Sequence, residues 1–195
     1  MFHLIRFGIA PVILSLLLSA FVFASDTAIE YKVLAANKTS TTQKEMNEAA
    51  DAGFRYGGVM GGETSFGGSE VVTIMYRTPD SEAGRFGYKL LATSKTSTMQ
   101  KEMQEAGDAG YEYKGQTVYK STFGGKEVVV ILEVDRARKD EQQYEYRLLA
   151  TSKTSTMQKE LLEAGAAGFE FVGVTLGDSA IGGTEVISIL RRTKK

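Results

Sequence analysis

The sequence predicts an α+β protein made of three tandem β-α-β-β repeats, its antiparallel sheets packed together and one helix per repeat outside. Three observations carry that prediction. Residues 30–77, 87–134 and 145–192 align without a gap, and a repeat found first changes how every later element is read. Each copy passes from strand-like alternation to helical spacing and back. Polar stretches at 78–86 and 135–144 separate the copies and read as linkers. The chain has 195 residues, with 23 Lys+Arg against 24 Asp+Glu, one His, two Pro, and neither Cys nor Trp. That is the composition of a globular protein, and a formal charge of −1 without a basic block leaves no electrostatic footprint for nucleic acid.

The chain opens Met1-Phe2-His3-Leu4-Ile5-Arg6, continues in an apolar run, and reaches Val22-Phe23-Ala24 before Ser25-Asp26. A basic start, an apolar middle and small residues flanking a cut after Ala24 read as a signal peptide over 1–24, which sends the mature chain to the periplasm or outside the cell. The alternative is an uncleaved anchor, because an apolar run of about 17 residues lies at the short edge of what spans a bilayer. Export without Cys means that no disulfide and no lipidated Cys support the chain. Cleavage also removes His3, the only His.

Each copy then begins with a short strand: Tyr31-Lys32-Val33-Leu34-Ala35, Tyr88-Lys89-Leu90-Leu91-Ala92 and Tyr146-Arg147-Leu148-Leu149-Ala150. The segments Ser40-Thr41-Thr42-Gln43, Ser97-Thr98-Met99-Gln100 and Ser155-Thr156-Met157-Gln158 follow. A Ser three residues before a Gln predicts a capping box, with the Ser as the helix N-cap. Met99, Met103 and Ala106, or Met157, Leu161 and Ala164, recur at helical spacing and give the helix one apolar stripe. Gly53, Gly110 and Gly168 stand where a left-handed residue ends the helix, so a Schellman motif would set Phe54, Tyr111 and Phe169 against Ala49, Ala106 and Ala164.

Alternating residues such as Tyr111-Glu112-Tyr113, then the turns Phe66-Gly67-Gly68, Phe123-Gly124-Gly125 and Ile181-Gly182-Gly183, then β-branched runs such as Val128-Val129-Val130-Ile131, predict a hairpin. The last strands are apolar on both faces and need cover on both, which neighbouring copies supply. A unit of about 48 residues buries too little to stand alone comfortably. The three are therefore expected to form one cooperative body, in pseudo-threefold order or by pairing with another chain.

A short unit that opens Tyr31-Lys32-Val33, carries one helix, continues Gly110-Tyr111-Glu112 or Gly168-Phe169-Glu170, and closes on Tyr76-Arg77 or Arg191-Arg192 resembles the small bacterial domain-of-unknown-function family numbered 4177. The chain departs from that family in using Phe or Tyr where Trp is usual after the Gly, and in its longer Gly-Gly hairpin. The resemblance implies the β-α-β-β unit and no chemistry.

Residues 90–102 and 148–160 are identical, so something holds this segment. Ser and Thr that satisfy loop and helix-start donors are one reason. The functional reading places Lys38, Ser40, Lys95, Ser97, Lys153 and Ser155 at helix starts, where free N–H groups and the positive dipole end favour an anion or a partner protein. Glu70, Glu127 and Glu185 recur, but no second carboxylate recurs with them, so no acid–base pair is read. Without His or Cys in the mature chain, no metal site, Ser-His-Asp set or cofactor is expected.

The sequence thus points to an exported triple-repeat protein acting as a non-catalytic binding or self-association module. Its partners would be a protein, a small anionic ligand or further copies of itself, with no stable membrane insertion after cleavage. The competing class is a carboxylate- or Lys-dependent envelope enzyme acting on carbohydrate.

Overall fold

The computed structural model describes residues 28–64, 68–120, 125–178 and 183–194; the segment 1–24, read from the sequence as a signal peptide, and the tips of the three Gly-Gly turns lie outside the described residues. Each copy is one β-α-β-β unit. The first comprises β1 (Glu30–Ala36), α1 (Thr39–Asp51), β2 (Arg55–Thr64) and β3 (Gly68–Arg77). The second comprises β4 (Phe86–Thr93), α2 (Thr96–Asp108), β5 (Glu112–Lys120) and β6 (Lys126–Asp135). The third comprises β7 (Tyr144–Thr151), α3 (Thr154–Ala166), β8 (Glu170–Asp178) and β9 (Thr184–Thr193). The chain is an α+β protein of three tandem units.

The last strand of each unit lies in the middle of its sheet, in the orders β1-β3-β2, β4-β6-β5 and β7-β9-β8, with antiparallel pairing throughout. That position explains the apolar last strands: a central strand with protein on both faces has no solvent side to keep polar. Val128 to Leu132 are accordingly all buried.

The helix ends follow their sequence signal. Phe54 N–H donates to Ala49 O and Gly53 N–H to Ala50 O, and the same pair of bonds recurs at Tyr111 and Gly110 and at Phe169 and Gly168. Gly53, Gly110 and Gly168 have φ of 88°, 80° and 81°, a region that costs a side-chain-bearing residue dearly.

The helix starts do not follow theirs. The N-caps are Lys38, Lys95 and Lys153, in extended conformation and without a side-chain cap bond, and Ser40, Ser97 and Ser155 lie inside the first turn. The capping box is therefore absent. The Lys carbonyls accept the first helical bonds, from Thr42, Met99 and Met157 N–H, while Gln43 and Gln100 are engaged elsewhere.

Packing joins each copy to the next. One core cluster combines Leu34, Met46 and Phe54 of the first copy with Tyr88, Leu90 and Ile131 of the second; another combines Met103, Val130 and Leu132 of the second with Tyr146, Ile187 and Ile189 of the third. The copies form an open row rather than a pseudo-threefold ring, since neither shared cluster links the first copy to the third. Helices α1 and α2 keep charged residues on their outer faces and share their inner faces between two copies, burying Met46 and Ala50, or Met103 and Gly107. Among the described residues no further copy packs on helix α3, and Ala164 is its only buried residue.

Because two of the three core clusters are each built by two copies, residues 25–195 are expected to unfold in a single transition, coincident by far-UV circular dichroism and tyrosine fluorescence. Two resolved transitions would contradict shared cores.

Candidate functional site

The six helix-start residues are all exposed, each Lys and Ser belonging to its own copy. None of the three Lys ammonium groups enters an ion pair among the described residues. The backbone N–H groups of Lys95 and Lys153 donate to the Thr93 and Thr151 hydroxyl oxygens, so these loops are closed locally.

The recurring Gln is what works across copies. Gln43 Oε1 accepts from Leu90 N–H at 2.8 Å, and Gln100 Oε1 from Leu148 N–H at 2.7 Å, while Gln100 Nε2 donates to Tyr146 O at 2.9 Å. One turn later, Asn47 exchanges bonds with the Tyr88 backbone, and Gln104 accepts from Tyr146 N–H and donates to Tyr144 O. The free edges of β4 and β7 are thereby capped by side chains from the preceding helix, which keeps an otherwise unpaired edge from recruiting a strand. The identity of 90–102 with 148–160 concealed this use; the signal available was polar Asn47 and Gln104 giving way to Leu162 at the matching place in the third copy.

Ser97→Ala is therefore expected to change stability by less than about 0.5 kcal/mol, and Gln100→Ala to lower it by about 2 kcal/mol through two lost bonds. Urea midpoints of the two variants decide it; equal shifts would restore the capping box.

The opening tyrosine of each later copy plugs into the copy before it. The Tyr88 hydroxyl receives Tyr56 N–H and donates to Glu133 Oε2, both at 2.8 Å; the Tyr146 hydroxyl receives Tyr113 N–H at 2.6 Å and donates to Tyr111 O. Burial drives the Tyr88 and Tyr146 phenols far above their ordinary value, and lifts Tyr56 to about 12. A bulge at Tyr56/Gly58, repeated at Tyr113/Gly115 and Phe171/Gly173, re-aims the strand at this joint. Tyr56 then lies over Gly115 and Tyr113 over Gly173, so close that a side chain at either Gly would meet the hydroxyl.

An ion pair crosses each joint with opposite polarity. Arg55 of the first copy binds Glu133 of the second at 2.9 Å, whereas Glu112 of the second binds Arg191 of the third at 2.6 Å. Burial works against the Glu112 charge, but Lys114 and Arg191 outweigh it and leave the carboxyl below its usual range; Arg85 does the same for Asp135. A carboxyl lowered in the folded state contributes stability above its unfolded value, near 4, and loses it as pH falls through the folded value. Stability is expected to drop below about pH 4, and Glu112→Gln should flatten that drop in denaturation midpoints measured from pH 7 to 3; an unchanged slope would contradict it.

The two ends of the row lack these partners. Tyr31 and Val33 on β1 are 69% and 63% exposed, whereas their matches Tyr88 and Leu90 are 3% and 8% exposed. At the other end Leu162, Phe171 and Leu176 are 65%, 55% and 54% exposed. Among the described residues, no exposed large apolar side chain belongs to the middle copy; apart from Ile29 just before the first copy, all lie in the first or the third.

No group of three or more acidic, His or Cys side chains that could hold a metal occurs among the described residues, and none of their helices is long and apolar enough to cross a membrane. Comparison of the chain with protein-family models, with curated proteins and with solved structures finds no match.

Proposed function

We propose that this chain is an exported, non-catalytic module that works by binding or self-association through the two end faces of its row of repeats. The apolar side chains left exposed at those ends, and absent from the middle copy, are the observation that carries the reading. Contiguous exposed apolar surface on a folded chain marks an interaction site far more often than scattered single residues do. The leader at 1–24 directs the chain to the periplasm or beyond, and the resemblance to family 4177 adds no chemistry to it.

Photo-crosslinkable residues at positions 33, 162 and 101, installed one at a time in the exporting host, test the reading. Positions 33 and 162 lie on the end faces, and Lys101 is an exposed mid-row control whose side chain is 78% exposed. Adducts from 33 and 162 but not 101 are expected; equal yields from all three would overturn the proposal.

A further inference from the structure

We infer that the occupant of each end face is a second copy of this chain, docked head to tail so that the first repeat of one molecule follows the third repeat of another as a fourth member of the row. This rests on the end faces being the contact surfaces, and names their partner.

The argument is continuity with two joints already built. At each joint the leading copy presents its helix and second strand, and the following copy presents its first strand and a glycine on its second. The third copy presents the first set and the first copy presents the second set, both uncovered. The empty places match one by one. Gly107 on α2 receives Tyr146, whose ring would lie 2.9 Å from a Cβ there; its match on α3, Gly165, has nothing within 4 Å. Gly115 and Gly173 receive Tyr56 and Tyr113; their match in the first copy, Gly58, has nothing within 4 Å. In the docked pair Tyr31 enters beside Gly165 and Phe171 lies over Gly58.

Polar partners are in place as well. Gln158 on α3 matches Gln43 and Gln100, which bond Leu90 and Leu148 N–H, so it meets Val33 N–H on the incoming β1. The Tyr31 hydroxyl meets Phe171 N–H and Phe169 O, as Tyr146 meets Tyr113 and Tyr111.

The third joint is more apolar than the other two. Leu162 replaces Asn47 and Gln104, Phe171 replaces Tyr56 and Tyr113, and Tyr76 stands where Glu133 and Arg191 carry the ion pair. With fewer directional bonds and no linker to raise the effective concentration, this joint forms reversibly and with concentration. A joint between unlike faces leaves one free head and one free tail after each addition, so the assembly extends beyond a dimer.

The experiment is sedimentation equilibrium of the processed chain over a wide concentration range, with a head variant, Val33→Lys, and a tail variant, Leu162→Lys. Both side chains are exposed, so folding should survive, and unchanged urea midpoints at low concentration verify it. Gly165→Leu is a second tail variant: open space surrounds that glycine, and a good helix former there keeps the single chain folded.

The wild-type mass is expected to climb with concentration past two chains. Each variant alone should remain at one chain, and an equal mixture of Val33→Lys with Leu162→Lys should reach two chains and stop, because only one intact head and one intact tail remain. A wild type that stays at one chain overturns the inference. So does a single variant that dimerises by itself, or a mixture that does not associate. Crosslinks at 33 and 162 to a different protein, with a monomeric wild type, would sink this inference and leave the end-face function standing; loss of those crosslinks would remove both.

Discussion

Ile131→Ala is expected to lower the stability of the folded repeats by about 3–4 kcal/mol, and Ile74→Ala by only about 1–2 kcal/mol. The two residues occupy the same place on the central strand of their copies. Ile131 is 0% exposed, within the core shared by the first and second copies, while Ile74 is 36% exposed on the uncovered face of the first. Truncating Ile131 forfeits full apolar burial and leaves a cavity that the rest of a shared core cannot close easily. At Ile74 water already reaches the side chain, so less transfer energy is lost and no closed cavity forms. Urea midpoints with unchanged m-values measure the difference, and equal losses would contradict the open row.

Glu133→Ala is expected to cost about 3 kcal/mol. The carboxylate is 3% exposed and accepts from Arg55 twice at Oε1 and once at Oε2, and from the Tyr88 hydroxyl, with Lys114 3.4 Å away. Its removal strands a buried phenol and leaves Arg55 without its carboxylate, while Lys114 keeps Glu112 at 3.6 Å. The figure is set at the lower end for a broken buried pair because Arg55 is 40% exposed and regains water when its partner goes. Arg55 also stacks on Phe86 at 4.2 Å, so Arg55→Ala loses packing beyond the ion pair. A double-mutant cycle separates the two, with a coupling energy of about 1.5–3 kcal/mol expected; coupling near zero would show that the pair contributes only through its packing.

The unit itself was legible from the residues. A helix stop at Gly53, Gly110 and Gly168 depends on one left-handed residue and a contact five positions back, all local in the chain, and both are present in every copy. Strand runs, hairpins and repeat boundaries are local or periodic in the same sense. The helix start was misread because Ser-x-x-Gln satisfies two grammars. A Gln within reach of its own helix start also reaches a strand in the next copy, and only the packed structure shows that Gln100 bonds Leu148 and Tyr146.

The distribution of burial among equivalent residues was beyond the sequence altogether. Tyr31, Tyr88 and Tyr146 open their copies with one motif, yet they are 69%, 3% and 3% exposed. Burial is a property of what stands opposite, and a repeat cannot state whether its copies close into a ring or stop in an open row. The β-α-β-β unit, its helix ends and its triplication can be read from the residues, because these follow from local conformation and periodicity. Tertiary structure alone decided which Gln and Tyr bind across a joint and which face at each end is left uncovered, because those depend on contacts between residues far apart in the chain.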